Sequence, residues 1–239
     1  MSHPNAWVSR LEAVKAKGRI PIIAEIKPAS PADGDLLKGR RVETITRAYI
    51  EGGAACLSVV TGRWFGGDIS LLSRVARLSR LPLLRKDLIV NKKQIRQSRD
   101  CGANAVLLTG SILSTSHLMK LMDDCLSLGM TPFIEVSDEA ALNQVKACRE
   151  SVIAITNRDI SRKETDTDSG LKSMALAGAL KHVSAGAIIS ASGIHTIEEA
   201  QKLFGAGFDG LLIGTALLKA PDPKAALIKF TQGKDDDEG

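Results

Sequence analysis

Between residues 21 and 215, short apolar runs recur at fairly regular spacing, and each closes on a polar or charged residue or a glycine or is followed directly by a polar one. The runs are 21–27, 55–60, 83–86, 105–108, 131–136, 152–155, 187–190 and 210–214. Runs of this length, rich in Val, Ile, Leu and Ala and bounded by turn residues, predict strands buried on both faces. The stretches between them place apolar residues three and four apart. They predict helices over 36–53, 69–81, 92–102, 116–129, 138–151, 167–182, 196–207 and 223–230. Strict alternation of strand and helix predicts an α/β fold, and eight such units predict a (β/α)8 barrel.

Local signals agree with this division. Ser137-Asp138-Glu139 can cap the helix after the fifth strand, and Thr196 with Glu199 has the spacing of a capping box. Gly102, Gly129 and Gly207 fall at predicted helix ends, each leading into the next strand. The phrases Cys101-Gly102-Ala103-Asn104-Ala105 and Ala206-Gly207-Phe208-Asp209-Gly210 read as one helix-to-strand turn used twice. Ahead of the first strand, 7–17 predicts a short helix with Trp7, Leu11 and Val14 on one face, suited to lie across the bottom of the barrel or over part of its mouth.

Composition narrows the picture. A chain of 239 residues, 44% hydrophobic, matches a single barrel domain over 1–239, with 1–20 as an N-terminal helical segment and 231–239 as a disordered acidic tail. Only 3% of residues are aromatic, so the core is aliphatic and stacking on nucleic-acid bases is disfavoured. The net charge of +5 is scattered, which favours a small anionic ligand over a nucleic-acid polymer. Cys56, Cys101, Cys125 and Cys148 form no CxxC pair, and the histidines show no ligand spacing, which argues for reduced thiols and no metal. No apolar run reaches the roughly 20 residues that cross a bilayer, and the expectation is a cytoplasmic protein. The helical face carrying Leu118, Leu121, Met122 and Cys125 reads as core.

Function in a barrel resides at the carboxyl ends of the strands, because only those loops surround one shared cavity. The predicted ends carry Glu25, Lys27, Thr61, Lys86, Thr109, Glu135, Thr156, Asn157, Ser190, Ser192 and Gly214. Charged residues so close to buried strands are rare unless paired or functional; a structural ion-pair network in the barrel mouth is the competing account of them. The turns Ser190-Ala191-Ser192-Gly193-Ile194 and Ile213-Gly214-Thr215-Ala216 follow the seventh and eighth strands, where barrels often cradle a phosphate on backbone N–H groups.

Seven ordered segments carry a resemblance. Ala24-Glu25-Ile26-Lys27-Pro28-Ala29-Ser30-Pro31 is similar to the AEIKxxSP signature of the indole-3-glycerol phosphate synthase family. Leu57-Ser58-Val59-Val60-Thr61 with Phe65 and Gly67, Leu84-Arg85-Lys86-Asp87-Leu88-Ile89 and Phe133-Ile134-Glu135-Val136 resemble three further family segments in order. Ile155-Thr156-Asn157-Arg158-Asp159, the 190–194 turn and Ile213-Gly214-Thr215-Ala216-Leu217 resemble INNRDL, SESGI and VGESL. The resemblance implies a cofactor-free carboxy-lyase of tryptophan biosynthesis acting on a phosphorylated small molecule. Lys86 matches the general acid, Glu135 its acid/base partner, and Lys27 the holder of the substrate carboxylate, with Glu25 orienting a lysine. Ser30, Ser192, Gly193, Gly214 and Thr215 match the phosphate cradle, and Phe65 and Arg158 further substrate contacts.

Two positions depart from the family pattern: Thr156 stands where INNRD has its first asparagine, and Ala191 where SESGI has glutamate. Pro28, Gly66 and a shorter region before the first strand also differ. These departures motivate two alternatives, a paralogue acting on another sugar phosphate and a non-catalytic protein that binds a phosphorylated ligand. Monomer and homodimer remain open.

Overall fold

The computed structural model describes residues 6–157 and 171–233. Eight parallel strands close into a barrel: β1 (Ile22–Ile26), β2 (Cys56–Val60), β3 (Leu83–Lys86), β4 (Ala105–Thr109), β5 (Thr131–Val136), β6 (Val152–Thr156), β7 (Ala187–Ala191) and β8 (Gly210–Ile213). The barrel closes where β1 pairs β8 in parallel, Ile22 opposite Leu211, while the other edge of β1 pairs β2. The predicted strand boundaries hold to within one residue.

Strand parity divides the apolar residues into two cores. Ile22, Ala24, Leu57, Val59, Ile134, Ile153, Ile155 and Leu211 face outward and join the core shared with the helices. Ile23, Cys56, Leu84, Leu107, Phe133, Ala154, Ile189 and Leu212 face inward and fill the lumen. All the strands are buried on both faces, which is why their sequences read as continuous apolar runs rather than alternating ones.

The surrounding helices are α2 (Val42–Glu51), α3 (Ile69–Leu78), α4 (Lys92–Asp100), α5 (Thr115–Ser127), α6 (Glu139–Val145), α7 (Leu171–Leu176), α8 (Ile197–Gly205), α9 (Thr215–Lys219) and α10 (Pro223–Gln232). Several are shorter than the apolar spacing predicts. The first barrel helix starts at Val42 instead of residue 36, because Lys38 and Gly39 adopt φ of 50° and 73° and break the helical path. Beyond α7 the chain tightens into a 3-10 turn over Ala177–His182, and residues 167–170 of that predicted helix lie outside the described residues. α10 runs two residues past its predicted end and buries Thr231, so the expected disordered tail cannot begin there; residues 234–239 lie outside the described residues. A two-residue hairpin, Ala29–Ser30 against Gly34–Asp35, and a 3-10 turn at Arg63–Phe65 were not foreseen.

The capping predictions hold. Asp138 accepts from the Ala141 N–H at 2.9 Å, and Thr196 and Glu199 form the reciprocal capping box. The repeated helix-to-strand turn has one physical basis. Asn104 accepts from the Leu83 N–H through Oδ1 and donates its own N–H to the Leu83 carbonyl. Asp209 does the same to Ile188. Each polar residue thus locks its turn onto the neighbouring strand.

The N-terminal helix α1 (Ala6–Lys15) lies across the bottom of the barrel. Trp7 is fully buried and meets Phe133 edge-on at 5.7 Å between ring centroids, and Leu11 and Val14 complete the plug. Arg10 donates to the Ala55 carbonyl at the start of β2, and Lys15 pairs with Asp209 ahead of β8. Leu118, Leu121, Met122 and Cys125 are buried, and all four cysteines are free thiols. Among the described residues no helix is long and apolar enough to cross a membrane, and no cluster of three or more His, Cys, Asp or Glu side chains is placed to hold a metal.

Candidate active site

The same parity that fills the lumen with aliphatic residues sends Glu25, Lys27, Lys86, Thr109, Glu135, Thr156 and Ala191 into it at the carboxyl end. There they surround a cavity of about 410 Å³. Lys27, Lys86, Glu135 and Thr156 line it together with Phe65 and Ser192, and Val60, Leu88, Leu107 and Ile112 make much of the remaining wall. A few polar groups converging in an apolar cleft are what a small-molecule site requires.

Glu25 stands between two lysines. Its Oε1 is 3.9 Å from Lys27 Nζ and its Oε2 is 3.4 Å from Lys86 Nζ. The expected pairing of Glu25 with a lysine is thus made twice, the contact with Lys86 being the shorter, and it couples β1 to β3. The Glu25 and Lys27 side chains are only 4% and 3% exposed, so both charges are desolvated and each depends on the other. The Lys27 ammonium also lies 5.6 Å from the centre of the Phe65 ring, within cation–π range. Beneath them Tyr49 donates to the Glu25 carbonyl at 3.3 Å. Burial first, and the Glu25 charge second, push its hydroxyl well above the ordinary tyrosine range, so it stays a donor.

A second, smaller recess adjoins the first and shares Lys27 and Ser192 with it. Ser192, Gly193, Gly214 and Thr215 line this recess, so four of the five residues expected to cradle phosphate come together. Ser30 is different: its hydroxyl is engaged with Asp33, donating to the carboxylate at 3.2 Å and accepting the Asp33 N–H at 3.0 Å. Asp33 in turn pairs with Lys219 at the end of α9. Arg40 reinforces this link, donating to carbonyls at Leu36, Leu37, Leu218 and Ala220. The loop after β1 is thereby fastened to the helix that follows β8. Arg158 lies outside the described residues.

Thr156 and Ala191, the two departures, are register partners on β6 and β7. Both are buried, and Thr156 lines the main cavity.

Two groups of residues support the site, and their partners escaped the sequence reading although Thr61 and Asn157 were among the predicted strand ends. Arg85, on the outer face of β3, donates to Asp87 Oδ2 at 2.8 Å and to Thr61 Oγ1 at 3.0 Å, while Thr61 donates to Asp87 at 2.7 Å. This clamp fixes the backbone on both sides of Lys86. The Arg-Lys-Asp run was its visible signal. The other group centres on Asn157, which is fully buried and bonded to Ser173 and the 190–192 turn. Strand parity turns its side chain away from the lumen, so this predicted strand end does not face the cavity.

Fold and site together define the class: a (β/α)8-barrel enzyme with ionisable side chains gathered at the carboxyl ends of its strands. The family model for indole-3-glycerol phosphate synthase matches residues 3–230. An indole-3-glycerol phosphate synthase of Carboxydothermus hydrogenoformans is 38% identical over 213 residues, covering 89% of this chain and 79% of that protein. One from Albidiferax ferrireducens is 36% identical over 225 residues, covering 94% and 83%. A solved chain from Aquifex aeolicus VF5 superposes with a TM-score of 0.72 at 11% identity, covering 96% of this chain and 98% of its own length, a likeness of fold alone. The chain belongs to the indole-3-glycerol phosphate synthase family.

Proposed function

We propose that this chain closes 1-(2-carboxyphenylamino)-1-deoxyribulose 5-phosphate to indole-3-glycerol phosphate, releasing carbon dioxide and water, as a carboxy-lyase of tryptophan biosynthesis. The observation that carries the reading is the convergence of Lys27, Lys86, Glu135 and Glu25 at one end of the lumen, around a largely apolar cavity.

The reaction needs a proton at the ketone oxygen as the arene carbon attacks, and a second proton-transfer group when the resulting alcohol leaves as water. Lys86 supplies the first from the end of β3, with Glu25 holding its ammonium. Attack forms the carbon–carbon bond; loss of the carboxylate as carbon dioxide returns its electron pair to the ring. Glu135 exchanges the proton of the dehydration step from the end of β5. Lys27 holds the substrate carboxylate until it leaves, beside Phe65, and the apolar wall takes the aryl ring. Ser30, Ser192, Gly193, Gly214 and Thr215 make up the phosphate-binding set, and Arg158 is a further substrate contact. No cofactor takes part in these steps. The reading treats 1–239 as one barrel domain in the cytoplasm, for which the free thiols are suited.

Indole fluorescence on mixing the protein with this substrate tests the reading. Wild type should generate the signal, and Lys86→Ala should remove it while leaving the far-UV circular dichroism intact. No turnover by wild type at high enzyme concentration, with turnover of another phosphosugar, would mean a diverged substrate. Normal ligand binding without any turnover would mean a binding protein.

A further inference from the structure

Asn157 directly follows β6 and shares the outward parity of Ile153 and Ile155, so its side chain enters the layer between barrel and helices. Buried polar groups there must find partners. Its Oδ1 accepts the backbone N–H of Ser173 on α7 at 2.8 Å. Its Nδ2 donates to the Ser192 carbonyl at 2.9 Å, to Ser190 Oγ at 3.1 Å and to the Ala191 carbonyl at 3.2 Å. The orientation of the carboxamide is dictated by these partners. A backbone N–H can only donate and a carbonyl can only accept, so a flipped amide would fail on both sides. The backbone N–H of Asn157 reaches the Ala191 carbonyl as well, at 2.9 Å.

Ser192 and Gly193 are consecutive left-handed residues, with φ of 66° and 65°. Glycine takes this conformation freely, but serine does so only when its surroundings hold it there. Asn157 provides that hold, gripping the carbonyls on both sides of the Ser192 Cα. In a trans peptide the carbonyl and the following N–H point in opposite directions. Fixing the carbonyls of 191 and 192 inward to Asn157 therefore turns the N–H groups of Ser192 and Gly193 away from it, towards the recess shared with Gly214 and Thr215.

We propose that Asn157 is a positioning residue for phosphate recognition: it sets the left-handed Ser192–Gly193 turn and aims its two N–H groups at the anion. It touches no substrate atom itself. The inference rests on reading this turn as the phosphate cradle, but not on which phosphorylated compound the enzyme transforms.

The test measures inorganic phosphate binding by calorimetry, with KM and kcat for the carboxyphenylamino substrate alongside. Asn157→Asp keeps the size and the acceptor for Ser173 but sets a carboxylate against two carbonyl oxygens. It should bind phosphate about tenfold more weakly and raise KM about tenfold, the scale of a lost hydrogen bond to a charged group, with kcat little changed. Ser190→Ala, which removes the hydroxyl's contacts with Asn157 and with Ser173 Oγ but leaves both carbonyl contacts of Asn157, should keep wild-type phosphate affinity. If Asn157→Asp does not fold, the smaller Asn157→Ser is read in the same way. Undiminished phosphate affinity in the Asn157 variant, or equal weakening in Ser190→Ala, overturns the inference. Wild type that binds no phosphate overturns the cradle and the inference together. Wild type that binds phosphate but does not turn over, with affinity lost in Asn157→Asp, removes the proposed activity and leaves the inference standing.

Discussion

Thr156 and Ala191 face each other across the β6–β7 ladder, so the two departures from the family pattern are one contiguous change in the lumen wall. The INNRD and SESGI patterns place asparagine and glutamate at these two positions, where this chain has a hydroxyl and a methyl. Restoring only Ala191→Glu buries a carboxylate beside a hydroxyl that donates one hydrogen bond, which should lower the melting temperature. Adding Thr156→Asn supplies a carboxamide and should recover part of that loss, with coupling of about 0.5–3 kcal/mol between the two sites. The double variant should raise kcat by about 100- to 1,000-fold, the scale of one well-placed polar group in a site. Denaturant unfolding of the four-membered cycle and indole fluorescence check both statements; additive effects on stability and rate would show the positions to be independent.

Trp7 predicts a clean separation of stability from chemistry. It is fully buried at the bottom of the barrel against Phe133, whereas Lys27, Lys86 and Glu135 sit at the opposite end. Trp7→Ala removes a large side chain from a packed plug and should cost about 3–5 kcal/mol. Urea unfolding should show the loss, while kcat of the folded fraction stays within about twofold of wild type. A matching fall in kcat would place α1 in communication with the mouth.

The barrel was legible because parallel strands buried on both faces leave continuous apolar runs, and because the residue ending each run had to face the mouth. Glu25, Lys27, Lys86 and Glu135 were found by that logic and do share one region of the lumen. What stayed hidden depends on tertiary partners. Ser30 reads as a phosphate ligand from its segment, yet its hydroxyl is engaged with Asp33, whose position is set by Lys219 some two hundred residues later. Asn157 looks like any polar residue beyond a strand until the fold brings Ser173 and the 190–192 turn around it. The late start of α2 was missed because Lys38 in the left-handed region is a decision of the loop and not of its composition.

Acid should destabilise the fold in a defined window. Asp68, through hydrogen bonding with Ser70, and Asp138, through the Ala141 N–H, are held below the ordinary aspartate value of 3.8, as is Asp124 by Lys92. Glu51 is held below 4.5 by Lys224. A carboxyl whose folded value is depressed binds protons more readily when unfolded. Its contribution is therefore complete above the unfolded value and is lost as pH falls through the folded one. The melting temperature should be flat from neutrality to about pH 5 and fall steadily below about pH 4. Asp68→Asn should lower the plateau and shallow the acid slope. An unchanged slope would mean that other carboxyls carry the transition.

Gly214 is fixed by Glu25. A methyl group at 214 would stand 2.7 Å from Glu25 Oε1 and 3.1 Å from Glu25 Cβ. The carboxylate cannot simply swing aside, because it is buried between Lys27 and Lys86 and any movement lengthens one of those contacts. Gly214 also lines the recess proposed for phosphate, so one residue serves two parts of the site. Gly214→Ala should displace Glu25, misplace the Lys86 ammonium and lower kcat by about 100-fold, the penalty expected for an ångström-scale error in a reacting group. Gly178 is the comparison: no neighbouring atom lies within 4 Å of a methyl added there. Gly178→Ala should leave kcat and KM at wild-type values. If Gly214→Ala alters only KM, the substitution acts through phosphate contact alone and Glu25 tolerates the shift; a fall in kcat at saturating substrate shows that the carboxylate between the two lysines is what the glycine protects.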